Sequence, residues 1–117
     1  MKVVYASRTG NIQTVMNKLN LANTLKIETG LEEVCEDFIL FTYNDGAGVV
    51  PPTVDEFLKH NSKYLKGVVG SGNRERHPDT WNFCLDIISK EYNVPVLYKI
   101  NTTGTDEDLA RLKEIFK

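Results

Sequence analysis

Three short segments gather the residue types that bind ligands rather than pack a core. The first is Ser7-Arg8-Thr9-Gly10-Asn11. Two hydroxyls, a cation and a glycine stand just ahead of a helical pattern. Such a segment offers hydroxyl and backbone N–H donors at a helix start, which suits a phosphate. It has neither the GK[ST] of a Walker A loop nor GxGxxG. The second is Thr42-Tyr43-Asn44-Asp45-Gly46-Ala47-Gly48, running into Val49-Val50-Pro51-Pro52. A Gly-x-Gly directly after an apolar run marks backbone that must come close to something or change conformation. The third is Ser71-Gly72-Asn73-Arg74-Glu75-Arg76-His77-Pro78, small and amide residues followed by charges. Taken singly, each reads equally well as a cap, a turn or a solvated loop.

The elements between these segments give them a common location. Residues 2–6 (KVVYA) form a β-branched and aromatic run, and Ile12, Val15, Met16 and Leu19 follow at helical spacing. Residues 25–28 make a weaker strand candidate. Phe38–Tyr43 (FILFTY) is continuously apolar, as expected of a parallel strand buried on both faces. Thr53 with Glu56 reads as a capping box opening a helix whose inner face is Val54, Phe57 and Leu58. Residues 65–70 (LKGVVG) form the next strand. Asp79 or Thr80 caps a helix carrying Trp81, Cys84, Leu85, Ile88 and Tyr92. Residues 94–100 (VPVLYKI) form the last strand. Thr105 caps a final helix with Asp106, Glu107 and Asp108 in its first turn and Leu109, Leu112, Ile115 and Phe116 facing inward.

Strand and helix thus alternate, which predicts an α/β fold: a three-layer sandwich around a five-stranded parallel sheet, in the flavodoxin-like order 2-1-3-4-5 by fold analogy. In that order the segments after strands one, three and four fall on one sheet edge. One would hold a phosphate and two would frame a flat ring. This is the layout of a mononucleotide site, for which FMN is the obvious occupant.

At 117 residues the chain is the size of one domain (1–117), able to bury about two-thirds of its unfolded surface. A net charge of -2 gives no electrostatic footprint for nucleic acid or an anionic membrane. No apolar run approaches the ~20 residues of a membrane span, and MKVVYAS reads as a strand rather than a signal peptide, so a cytoplasmic location is expected. Cys35 and Cys84 lack metal or redox spacing and are read as free, buried thiols. His60 and His77 read as surface histidines, and no metal site is expected.

The stretches Y-A-S-R-T-G-N, F-I-L-F-T-Y-N-D-G-A-G-V-V-P, G-S-G-N-R, I-S-K-E-Y-N-V-P and T-G-T-D-E-D, in this order and spacing, resemble the NrdI family over nearly the whole chain. The resemblance implies a small FMN-binding flavodoxin-like protein. Its partner would be the radical-bearing small subunit of class Ib ribonucleotide reductase. Reduced by a reductase or glutaredoxin-like donor, it would react with O2 and supply a superoxide- or peroxide-type oxidant that assembles the dimanganese–tyrosyl radical cofactor. The activity is that of a redox activator rather than a substrate-turnover enzyme. Phosphate binding is carried over onto Ser7, Arg8, Thr9, Gly10 and Asn11. Ring and ribityl contacts fall on Thr42, Tyr43, Asn44, Asp45, Gly46, Ala47 and Gly48, and the far side of the ring on Ser71, Gly72, Asn73 and Arg74. The Gly46–Ala47 peptide is the expected neighbour of the flavin N5, free to reorient on reduction.

Two positions depart from the family pattern. Ala47 stands where an aromatic is common, leaving the ring open to O2 or a partner. Arg76 stands at a tryptophan position, and Trp81, on a helical stripe, is expected in the core. Charges near the ring nearly cancel (Asp45 and Glu75 against Arg74 and Arg76), which should bring the two reduction steps closer together than in an acidic flavodoxin. A general flavodoxin electron carrier is the alternative reading. A receiver-like signalling module fits poorly, because Ser7-Arg8 occupies the place of its acidic pocket.

Overall fold

The computed structural model describes residues 2–7, 10–43, 50–72, 83–101 and 103–116. The apolar runs become five parallel strands: β1 (Lys2–Tyr5), β2 (Thr24–Lys26), β3 (Phe38–Tyr43), β4 (Leu65–Gly72) and β5 (Val96–Asn101). Their order across the sheet is β2-β1-β3-β4-β5, with every neighbouring pair parallel. The intervening helices are α1 (Asn11–Leu19), α2 (Pro52–Asn61), α3 (Phe83–Tyr92) and α4 (Asp106–Ile115).

Alternation along the strands divides the apolar residues between two cores. Val4, Phe38, Leu40 and Val68 point toward α2 and α3, packing with Phe57, Leu58, Leu85 and Ile88. Val3, Ile39, Phe41, Val69 and Ile100 point the other way, onto Ile12, Val15 and Leu19 of α1 and Leu112 of α4. A sheet covered on both faces explains why β3 is apolar without a break. Phe38 meets Phe57 edge to face, ring centres 5.6 Å apart, the favoured arrangement for two aromatic quadrupoles.

The long segment from β2 to β3 contains no helix and is held by side chains instead. Glu32 folds back so that its carboxylate accepts the amides of Glu28, Thr29 and Gly30, at 2.9, 3.1 and 2.9 Å. Asn61, only 2% exposed at the end of α2, staples this segment to the body. Its Nδ2 donates to the carbonyls of Glu32 and Phe57, and its Oδ1 accepts the amide of Val34.

Some local expectations change. Thr53 is not a cap: α2 begins at Pro52, two residues before the expected first helical residue Val54, with Pro51 as the capping residue and no side-chain cap bond. Proline has no amide to leave unpaired, so the first helical turn is its natural place. β4 continues two residues beyond the apolar run, through Ser71 and Gly72, because parallel pairing with Tyr43 and with β5 satisfies those backbones. Ile115 is exposed rather than inward, since the inner stripe of α4 passes through Leu112 to Phe116. Cys84 is buried but Cys35, in the β2–β3 segment, is exposed. Trp81 and the candidate caps Asp79 and Thr80 lie outside the described residues.

Candidate functional site

The turn after β1 is built by Gly10 and Ser7. Gly10 caps α1 at φ 94° and ψ -5°, left-handed backbone that any side chain would strain. Its carbonyl accepts the Thr14 amide at 2.9 Å and the Thr14 hydroxyl at 2.9 Å, which secures the first turn. Ser7 Oγ reaches over the helix start and accepts the Gln13 amide at 3.2 Å. Its role is therefore partly structural, although a hydroxyl that accepts still has a proton to donate. The amides of Asn11 and Ile12 have no intrahelical carbonyl and emerge from the helix end. A Cβ placed on Gly10 would meet none of the described atoms within 4 Å. Left-handed glycine followed by right-handed helix is an amide nest, with the positive end of a helix dipole behind it.

The other two segments start on the same edge. Ala6 donates to the Phe41 carbonyl at 3.0 Å, which fixes the end of β1 against β3. Tyr43, the last residue of β3, is in register with Ser71, and Gly72 is in register with Asn101. The backbones leading out of β1, β3 and β4 are thus adjacent, as a ligand beyond the carboxyl ends requires. Thr42 is fully buried and its hydroxyl donates to the Tyr43 carbonyl at 3.0 Å, while Ser71 is 3% exposed. Both side chains are buried at this edge.

Cys84, in α3, also points its thiol at the Tyr43 carbonyl, at 3.5 Å. Burial, helped by the charge of Asp86, pushes this thiol up to about 12, so it stays protonated and unreactive. A cavity of about 380 Å³ opens beside the end of β1. Ala6, Ser7, Ile27, Tyr43 and Thr53 line it, with the exposed Lys26 and Glu28. Lys26 and Glu28 balance in charge, so this part of the rim does not repel an anion.

Of the sequence-predicted residues, Ser7, Gly10, Asn11, Thr42, Tyr43, Ser71 and Gly72 are brought to this edge. Arg8, Thr9, Asn44, Asp45, Gly46, Ala47, Gly48, Asn73 and Arg74 lie outside the described residues. Among the described residues no group of three or more His, Cys, Asp or Glu is placed to hold a metal.

Motif reading missed a network one strand over. Asp108, in the first turn of α4, is 8% exposed. Its Oδ1 accepts the Tyr98 hydroxyl at 2.7 Å, and its Oδ2 accepts the amides of Asn101 and Thr105 at 3.3 and 3.1 Å. The Thr105 hydroxyl accepts the Asp108 amide in return, completing a capping box. Burial works against ionising Asp108, but the donors from Tyr98, Thr105 and Asn101 outweigh it and hold the carboxyl below its ordinary range. The spacing T-x-x-D was the available signal.

A parallel β2-β1-β3-β4-β5 sheet with helices on both faces defines a flavodoxin-like fold. Solved structures agree on the fold. A short-chain flavodoxin associated with a non-canonical PDU bacterial microcompartment superposes with a TM-score of 0.69 at 20% identity, covering 97% of this chain and 90% of that one. The Fusobacterium nucleatum flavodoxin bound to flavin mononucleotide gives 0.61 at 18% identity, covering 97% of this chain and 92% of that one. A mutant of that flavodoxin, also bound to flavin mononucleotide, gives 0.63 at 17% identity, with 98% and 91% covered. The family model described as "NrdI Flavodoxin like" matches residues 3–114, and the chain belongs to that family.

Proposed function

We propose that this chain binds FMN at the carboxyl edge of its sheet and acts in the cytoplasm as the oxidant-supplying accessory protein of class Ib ribonucleotide reductase. Membership of the NrdI flavodoxin-like family carries the reading. Physical support comes from the start of α1, where a left-handed Gly10 and first-turn amides without intrahelical partners suit a phosphate.

In this reading the amides of Asn11 and Ile12 and the proton of Ser7, with Arg8 and Thr9, bind the phosphate. Thr42 and Tyr43 lead into residues 44–48, which take the ribityl chain and one side of the ring. Ser71 and Gly72 lead into Asn73 and Arg74, which take the other. Bound FMN would accept electrons from a reductase or glutaredoxin-like donor and pass them to O2, furnishing a superoxide- or peroxide-type oxidant to the radical-bearing subunit. Gly46 leaves the following peptide free to turn as the protonation of N5 changes. In this reading the small side chain of Ala47 would cover less of the ring than an aromatic, favouring access for O2 and for the partner.

The test has two stages. FMN is titrated into the purified protein and followed by quenching of flavin fluorescence. The FMN-loaded protein, reduced without air, is then mixed with O2 and a manganese-loaded class Ib small subunit, and the tyrosyl radical is read by electron paramagnetic resonance. A radical that depends on the protein supports the proposal. Tight FMN binding without any radical points instead to a general flavodoxin electron carrier, and no FMN binding removes both readings.

A further inference from the structure

The Tyr98–Asp108 network does more than cap α4. A capping box needs one bond from the carboxylate to the Thr105 amide. Here the same oxygen also takes the amide of Asn101, and the second oxygen is claimed by Tyr98. Asn101 is the last residue of β5. Its carbonyl accepts the Gly104 amide at 3.0 Å, so the turn holds this residue through both backbone groups. Lys18 of α1 donates to the Thr103 carbonyl at 3.4 Å and joins the same turn to the helix behind the phosphate nest. Across the sheet, Asn101 is the register partner of Gly72, the last residue of β4 and the one directly before Asn73 and Arg74.

We propose that Asp108, oriented by Tyr98, is a positioning residue of the cofactor site: it anchors the end of β5 beside Gly72 and so sets where the segment flanking the flavin ring begins. This rests on the FMN reading above. The pair acts through Asn101 and the β4–β5 pairing. Both partners are committed to the arrangement. Tyr98 is held protonated, pushed up to about 12 first by its bond to Asp108, and the carboxylate keeps its charge. The tyrosine is thus a permanent donor, and the carboxylate is kept in the one rotation that serves both amides.

The experiment uses the full chain and FMN as the probe. The dissociation constant, the visible flavin bands and the separation of the two reduction potentials are measured for the wild type, Asp108→Ala, Asp108→Asn and Tyr98→Phe. Leu112→Ala serves as the comparison, because Leu112 is a fully buried core residue of the same helix. Asp108→Ala is expected to weaken FMN binding about tenfold, as loss of bonds to two backbone amides would, and to shift the flavin bands. Tyr98→Phe, which keeps the capping box and serves if Asp108→Ala does not fold, should weaken binding about threefold. Asp108→Asn should recover most of the affinity, because its amide oxygen can still accept both backbone amides. Leu112→Ala should lower the melting temperature and leave the FMN constant unchanged. If Asp108→Ala or Tyr98→Phe binds FMN with wild-type affinity and bands, or if Leu112→Ala loses as much affinity as Asp108→Ala, the positioning role is overturned while FMN binding stands. If the wild type binds no FMN, the functional reading falls and this inference with it.

Discussion

Asn61 shows how much one polar side chain can hold. Three hydrogen bonds converge on it inside the α2 core, and they include the main attachments of a segment with no regular structure of its own. Replacing it with alanine leaves the Val34 amide and the Glu32 carbonyl without these partners in a part-buried site. The expected cost is about 2–3 kcal/mol, read from urea unfolding, and a loss below about 0.5 kcal/mol would contradict the staple. The two cysteines make the opposite point about exposure. Cys35 is exposed and Cys84 is buried with a raised pKa, so a thiol reagent should titrate one group in the native protein and two after denaturation. Two rapid native reactions would refute the buried placement of Cys84. In sequence the two cysteines look alike. Asn61 falls at helical spacing from Val54, Phe57 and Leu58, yet the sequence reading did not single it out, and its partners 27 and 29 residues away lie beyond any local pattern.

At the scale of elements, two glycines share a backbone conformation and differ in surroundings. Gly10 and Gly30 have φ of 94° and 88°. Around Gly10 the described space is open, whereas a Cβ on Gly30 would lie 2.7 Å from the Thr53 carbonyl oxygen and 3.1 Å from the Glu56 Cβ. Both substitutions to alanine carry the left-handed penalty of about 1–2 kcal/mol. Gly30→Ala must also push α2 away from the β2–β3 segment, so it should be the more destabilising of the two in thermal unfolding. Gly10→Ala should be the one that weakens FMN binding, because it disturbs the nest. Equal effects of the two on both measurements would refute this division of roles. The boundaries of α1 and β3 were legible because their patterns are long and unbroken. The start of α2 was misread, because T-V-D-E is a good capping box in sequence and the preceding proline pair is an even better helix entry once the chain folds.

For the whole molecule, acid is the informative stress. Partial burial opposes ionisation of Glu32, yet the amides of Glu28, Thr29, Glu32 and Gly30 bring its carboxyl down from the ordinary 4.5 to about 2. Asp108 is shifted in the same direction. A carboxyl depressed by folding adds stability that is complete above its unfolded value and lost as pH falls through its folded value. Both groups therefore stabilise the native state at neutral pH; the Glu32 part drains away between about pH 4.5 and 2, and the Asp108 part is likewise lost in acid. Because Glu32 is half-exposed, solvent screening reduces its share to about 1 kcal/mol. Glu32→Gln should lower stability at pH 7 by about that amount and flatten the acid limb of the stability curve. An acid limb identical to that of the wild type would show that this carboxylate carries no linkage. Ligand acts oppositely: FMN at 100 times its dissociation constant should add about 2.7 kcal/mol, raising the melting temperature in a concentration-dependent way.

The order of apolar runs, their lengths and the placement of turn residues between them determined the alternating α/β architecture without reference to any coordinates. Those features act locally: a nearly unbroken apolar run such as residues 38–43 favours a strand covered on both faces, and Ile12, Val15, Met16 and Leu19 at helical spacing favour an amphipathic helix. They also located the three loops, because strand ends are set by the same patterning. The tertiary structure alone decided which remote groups meet. The Asn61 staple joins groups 27 and 29 residues apart, and the Cys84 thiol reaches a carbonyl 41 residues away. The Tyr98–Asp108–Asn101 network, though short in sequence, works only because β5 pairs with β4 and sets Asn101 opposite Gly72. For the Asn61 and Cys84 contacts no local window of residues contains both partners, and their energy exists only once the sheet has formed.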